Sequence, residues 1–150
     1  MQEALAIARM HYDAFNMHEV ERAAAIIADD VEWVNVPFGH TLHGVEGYRQ
    51  HLWIWHRAFP DGSVEIVDQY ADGEHVTTEF IGRGTHTGVF ASPVGELAPT
   101  GRRVEVAFCE VMRVRDGRIA FSRLYYDAVT MLGQLGVIPA LGSAGAWVGR

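Results

Sequence analysis

Apolar positions in the first sixty residues recur at helical spacing. Leu5, Ala8, Tyr12 and Phe15 fall at i, i+3, i+7 and i+10, which predicts a helix from about Glu3 to Phe15 with one apolar stripe. Asn16 is placed to cap a second helix, His18 to Ala28, that turns Val20, Ala24 and Ile27 inward. A third runs from Val45 to Phe59, with Tyr48, Leu52, Trp55 and Phe59 on one face and Pro60 ending it. Between the second and third, VEWVNV (31–36) is short and β-branched and reads as a strand. Beyond Pro60 the period changes. SVEIVDQY, HVTTEFIGRGTHTG, RRVEVAFCEVMRVR and RIAFSRLYYD read as long strands, with tight turns at Asp72-Gly73 and Asp116-Gly117. VFASPVGELAPTG (89–101) reads as a loop between strands, and Val129 to Leu135 as a short helix. The order predicts an α+β domain: three N-terminal helices on one face of a strongly curved antiparallel sheet, then a short C-terminal helix.

A two-residue turn at Asp116-Gly117 pairs Arg115 with Arg118 and sets the register of the last hairpin. An unbroken ladder then places Val106 opposite Asp127, Phe108 opposite Tyr125, Glu110 opposite Arg123 and Met112 opposite Phe121, all on the more apolar face. Three charged groups, Glu110, Arg123 and Asp127, share that face, and buried charge needs a partner or a purpose. One account makes Glu110–Arg123 a cross-strand ion pair and Asp127 the N-cap of the last helix. The other makes this face the mouth of a pocket in which a carboxylate, its pKa raised by apolar walls, serves as a general base.

Composition narrows the chemistry. All 12 basic residues among the 150 are arginines, so lysine Schiff bases, pyridoxal phosphate sites and Walker-type lysines are excluded. A net charge of −7 removes the basic footprint of a nucleic-acid binder. Cys109 stands alone, which forbids an internal disulfide or a CxxC site. The N-terminus lacks a basic n-region and a cleavage site, so the expected location is cytoplasmic. From Ala128 to Gly149 no residue is charged, but five glycines and Pro139 interrupt the stretch. It reads as a short helix followed by a tail (140–150) that covers a subunit interface or is partly mobile, and not as a membrane span.

Other motifs carry less. His40/His43 and His51/His56 lack a metal-site context, and no metal is expected. His11, His18, His51 and His75 read as solvated positions on helix surfaces or turns. GRGTHTG (82–88) lies within a strand pattern, so its glycines permit a bend or close approach and do not cradle phosphate. His86 shares the inward parity of Thr78 and Phe80. Trp33 and Asn35 share one face of the first strand, and an inward asparagine requires a partner.

Taken in order, DDVEWVNVPFG, HGVEGYRQHL, AFPD, GRGTHTGVF, PTGRRVEV, RVRDGRIAFSRLYYD and QLGVIP resemble the SnoaL-like polyketide cyclases of the NTF2-like superfamily, over about residues 1–139. The resemblance implies a single cone-shaped domain over those residues. It also implies an enzyme that closes a ring of a polyketide-like substrate by intramolecular aldol condensation without a cofactor. By position, Asp127 resembles the family's acid/base aspartate and His86 its pocket histidine, although Glu110 on the next strand competes for the second role. Relatives often carry a further acid three residues before that aspartate, where this chain has Leu124. Trp33, Asn35, Phe80, Phe108, Glu110, Met112, Phe121, Arg123 and Tyr125 would then line the site around a small hydrophobic or aromatic ligand. The resemblance further implies a homodimer or larger homo-oligomer. Epoxide hydrolase is the enzymatic runner-up, for which Glu110, Arg123 and Asp127 would supply an Asp–Arg–Asp-like set. A ketosteroid-type isomerase would need a phenol near the acid, for which Tyr125 is the candidate. A non-catalytic binder of a hydrophobic molecule is the reading from a different class.

Overall fold

A computed structural model describes residues 2–139. Helix α1 (Gln2–Met17) is followed by a single turn of helix, α2 (Val20–Ala24), and by strands β1 (Ile27–Asn35) and β2 (His40–His43). Helix α3 (Gly44–Ala58) leads into β3 (Ser63–Asp72) and β4 (His75–Thr85). A small hairpin, β5 (Phe90–Ser92) and β6 (Gly95–Leu97), precedes β7 (Arg103–Arg115), β8 (Arg118–Tyr126) and α4 (Ala128–Gln134). The predicted tail, 140–150, lies outside the described residues. Among the described residues no helix is long and apolar enough to cross a membrane.

The apolar stripe of α1 packs inward as its spacing predicts, with Ala8 and Tyr12 buried and Leu5 and Phe15 half-buried against the core. The expected second helix is much shorter. Chain from Ile27 onward joins the sheet, where Ile27 pairs with Ile119, so its β-branched residues go to a ladder and not to a helix face. Asn16 does not cap that helix. Its side-chain amide brackets Val64 of edge strand β3, donating to the carbonyl at 2.9 Å and accepting from the N–H at 2.8 Å. The segment expected as a plain loop after β4 contains the β5–β6 hairpin.

Six strands form one curved sheet in the order β2-β1-β8-β7-β4-β3, and the helices cover one face. The sheet is mixed, not antiparallel throughout: β1 and β8 run parallel, joined by the long crossover that parallel neighbours require. Asp116-Gly117 does pair Arg115 with Arg118. One step further the ladder slips, however: Val114 pairs with Ile119 but Arg113 with Phe121, leaving Ala120 as the extra residue of a bulge. Beyond it Glu110 faces Leu124, Met112 faces Ser122 and Phe108 faces Tyr126. A slip of one residue turns every later side chain over. Phe121, Arg123 and Tyr125, read from an unbroken ladder as inward, point to the outer face. Ser122 and Leu124 take their place inside, both buried.

Candidate active site

Under the helices, between α1, the end of α3 and strands β4, β7 and β8, lies a cavity of about 60 Å³. Its walls are mostly apolar and aromatic, including Phe15, Trp55, Phe80, Val106, Phe108 and Leu124. Phe80 and Phe108 stack with centroids 4.9 Å apart, and Phe108 seats over Gly82, where a Cβ would come within 2.7 Å of the ring. The expectation that these glycines allow close approach holds at that position.

One carboxyl group reaches this wall from within the sheet. Glu110 is 1% exposed and is the one acidic side chain among the buried described residues. Tyr12 of α1 donates its hydroxyl to Oε1 at 2.8 Å, and Ser122 of β8 donates to Oε2 at 2.6 Å. Ser122 arrives there because of the bulge at Ala120. His11 Nε2 lies 4.0 Å from Oε1. On the other side of that ring, Nδ1 is 2.6 Å from the Tyr48 hydroxyl of α3. A phenol that donates to Nδ1 leaves the imidazole hydrogen on Nε2.

Burial pushes the Glu110 pKa up to about 7 against the downward pull of the Ser122 and Tyr12 hydroxyls. Burial likewise drives His11 and His51 down to about 3, so both rings are neutral. The Tyr12 phenol is raised by burial and then by the Glu110 charge, and stays protonated as a donor. The arrangement is a carboxyl group that titrates near neutrality, held by two hydroxyl donors and open to an aromatic chamber. It can take or return one proton.

The residues expected at the site divide. Phe80, Phe108 and Glu110 line this cavity, while Trp33 and Asn35 line a neighbouring one and Met112 is buried in the core. Asn35 finds its partner in the protein: its Oδ1 accepts from the Tyr126 hydroxyl at 3.1 Å and from the Phe38 N–H at 3.3 Å. Arg123 forms no pair with Glu110 and lies over the Phe121 ring at 5.1 Å on the outer face. Tyr125 is 42% exposed. His86 is buried beyond the end of β4, where Nδ1 accepts from the Thr100 N–H at 3.1 Å and ties down that loop. Asp127 is exposed at the start of α4, accepting from the Thr130 N–H at 3.0 Å, and the Thr130 side-chain hydrogen bond holds its carboxyl low. The Glu110–Arg123–Asp127 set is therefore not assembled.

Sequence reading missed His11, Tyr12, Tyr48, His51 and Ser122 as polar members of the site. His11 and His51, read as solvated, are 3% and 7% exposed. A signal existed for the two phenols, since Tyr12 and Tyr48 stand on inward stripes where a hydroxyl needs a partner. None existed for Ser122, whose face depends on the bulge. Among the described residues no group of three or more His, Cys, Asp or Glu is arranged to hold a metal ion.

The family pattern of SnoaL-like polyketide cyclases matches residues 5–135. The chain belongs to that family. IdmH of Streptomyces antibioticus, a candidate polyketide cyclase, is 31% identical, with 89% of this chain and 98% of that one covered and a TM-score of 0.74. AclR of Streptomyces galilaeus, a candidate hydroxylase, is 21% identical over 96% of this chain and 87% of that one, TM-score 0.80. An LEH-like epoxide hydrolase from M. tuberculosis is 24% identical over 91% and 92%, TM-score 0.71. No curated protein matches the sequence. The cone fold is thus shared with proteins named for several chemistries. Leu124 faces inward, and Glu110 stands directly opposite it on β7.

Proposed function

We propose that this SnoaL-like protein is an acid/base enzyme that closes a ring in a small, apolar, polyketide-like carbonyl compound by intramolecular aldol addition, with Glu110 as the proton carrier. The observation that carries the reading is a buried carboxyl group, pushed up to about 7, facing an aromatic chamber. The Glu110 carboxylate takes a proton from a carbon made acidic by neighbouring carbonyls. The enolate carbon then bonds to a second carbonyl carbon of the same molecule, whose π electrons move to oxygen. The Glu110 carboxylic acid returns its proton to that alkoxide, so the step balances with proton transfers alone. Tyr12 and Ser122 hold the carboxylate in place, and the aromatic walls flank the reacting carbon, while a cavity of about 60 Å³ leaves the rest of the substrate to extend past its open rim at Gly62, Ser63 and Val64.

The first half-reaction can be tested without the natural substrate. 2-Tetralone in deuterated water exchanges its α-hydrogens when a base removes them, and NMR follows the loss of signal. Wild-type protein should accelerate exchange, with a rate that rises with pH to a plateau above about 7. Glu110→Gln should bind the ketone yet lose the acceleration by at least ~10²-fold. Equal rates in wild type and Glu110→Gln, or loss of exchange in Asp127→Asn instead, would overturn the assignment.

A further inference from the structure

Removing a proton beside a carbonyl puts negative charge on the carbonyl oxygen, and Glu110 can do nothing for that atom. A hydrogen-bond donor at the same cavity would carry that half of the work. The polar side chains of the wall are few, and most are engaged or distant from the carboxyl group. Tyr12 gives its hydroxyl to Glu110, and Arg83 is paired with Glu105 at 2.6 Å and Glu65 at 3.0 Å. Ser63 is exposed. His51 and Trp55 line both this cavity and its neighbour, and neither is among the polar contacts of Glu110, which are Tyr12, Ser122 and His11. His11 lines this cavity and not its neighbour.

The His11 side chain is 3% exposed, and its two nitrogens keep different company. Nδ1 lies 2.6 Å from the Tyr48 hydroxyl, which has no other hydrogen-bond partner among the described residues. Burial, and then the Glu110 charge, raise the Tyr48 pKa and keep that phenol a donor. Nδ1 is thus the acceptor, and the ring hydrogen sits on Nε2. Nε2 is 4.0 Å from Glu110 Oε1, beyond hydrogen-bond distance. It is not sealed in either: among the described residues, the side-chain atoms closed off without a partner are Trp33 Nε1 and His86 Nε2. The His11 Nε2–H therefore opens onto the cavity that its ring lines. Burial pushes the ring pKa down to about 3, so this donor works as a neutral imidazole.

Its separation from the carboxylate suits enolisation. The α-carbon and the oxygen of a ketone are about 2.4 Å apart. A base oxygen about 3 Å from that carbon and a donor about 2.9 Å from that oxygen, on the same side, stand roughly 4–5 Å from each other. We propose that His11 is a second catalytic residue of the reaction assigned to Glu110, its Nε2–H donating to the ketone oxygen while the carboxylate takes the α-proton. The role rests on Glu110 being the base. The C–H electron pair becomes the enolate double bond, the carbonyl π pair moves onto oxygen, and His11 keeps its own proton. Tyr48 is a positioning residue, acting only through the tautomer it imposes on the ring.

In the 2-tetralone exchange assay, His11→Phe should lose at least ~10²-fold in rate at saturating ketone, with KM little changed. His11→Gln, which restores an N–H donor, should recover part of that loss. Bound to wild-type protein, 2-tetralone labelled with ¹³C at the carbonyl should show its C=O stretch below the frequency in cyclohexane, and His11→Phe should return it toward that value. ¹⁵N NMR should find the wild-type ring hydrogen on Nε2, and Tyr48→Phe should let the Nδ1–H form appear and slow exchange. Full exchange in His11→Phe while Glu110→Gln is inactive overturns the role of His11 and leaves Glu110 in place. Full exchange in Glu110→Gln removes the acid/base reading and this role with it. A C=O band unmoved by His11→Phe, or an Nδ1–H ring in wild type, also overturns the proposal. Should the His11 variants fail to fold, wild-type protein decides: its His11 ¹⁵Nε2 signal must shift on addition of 2-tetralone, and an unchanged signal overturns the role.

Discussion

Glu110 and Asp127 illustrate how environment assigns different work to two carboxyl groups a strand apart. Glu110 has given up water for two hydroxyls, and its carboxylate is the disfavoured form; Asp127 keeps water and a helix N-cap, and its carboxylate is favoured. For Glu110 the folded pKa lies above the unfolded 4.5, so its contribution to stability is complete below 4.5 and is lost as pH rises through about 7. Glu110→Gln should therefore be more stable than wild type at pH 8, by up to about 3 kcal/mol, and show no gain at pH 4. Urea denaturation at the two pH values measures this. Asp127→Ala should cost about 1 kcal/mol through the lost cap and lower Tm by ~2–4 °C. Under the proposed mechanism it leaves 2-tetralone exchange unchanged. A calorimetric scan beside the exchange assay separates the two effects.

Among the strands, the bulge at Ala120 is the element on which the site depends. Deleting Ala120 would straighten the β7–β8 ladder and send Ser122 and Leu124 outward, bringing Arg123 against Glu110. The variant should fail to reach a cooperative fold, seen as loss of the near-ultraviolet dichroism of the packed aromatic residues. If it instead folded with wild-type stability, the inward set described here would be wrong. A second tight junction ties α3 to the loop after β4: the Gly88 N–H donates to the Ala58 carbonyl at 3.1 Å, and a Cβ at Gly88 would collide with the Arg57 carbonyl. Gly88→Ala has no flexible side chain to push aside. It should destabilise the protein by more than ~2 kcal/mol, measurable as a lower urea midpoint.

Across the domain, Glu110 competes with the buried histidines His11, His51 and His86 in setting the pH of greatest stability. His11 and His51 are neutral when folded down to about pH 3 but take up protons at 6.5 when unfolded. Their contribution is present above 6.5 and is lost as pH falls toward 3. Glu110 acts in the opposite direction between 4.5 and about 7. His11 and His51 against Glu110 give a rise of roughly 1.4 kcal/mol per pH unit over the interval from 4.5 to 6.5, and His86, also lowered by burial, adds to it. A maximum near 6.5 follows, with a slight decline toward 7. Thermal unfolding from pH 4 to 8 should trace that curve, and Glu110→Gln should steepen its acid side.

The amino-acid sequence by itself determined the kinds of elements and much of their inward faces. The stripes of α1 and α3, the stop at Pro60 and the Asp116-Gly117 turn are local properties, set by spacing and backbone geometry within a few residues. Phe80 and Phe108 as pocket walls and Glu110 as an inward carboxyl were legible for the same reason, since β4 and β7 are regular alternating strands. The partners of Glu110 were not. They come from α1 and from β8, 98 and 12 residues away in sequence, and one of them faces inward only because a single bulge reverses the parity of its strand. Alternation reveals a face only if the ladder is unbroken, and a bulge carries no strong sequence signature in a stretch such as RIAFSRLYY. The parallel pairing of β1 with β8, the burial of His11 and His51, and the two chambers on either side of His51 and Trp55 likewise depend on which distant surfaces meet. That is decided by packing of the entire core, because only there do buried polar groups find, or fail to find, their partners.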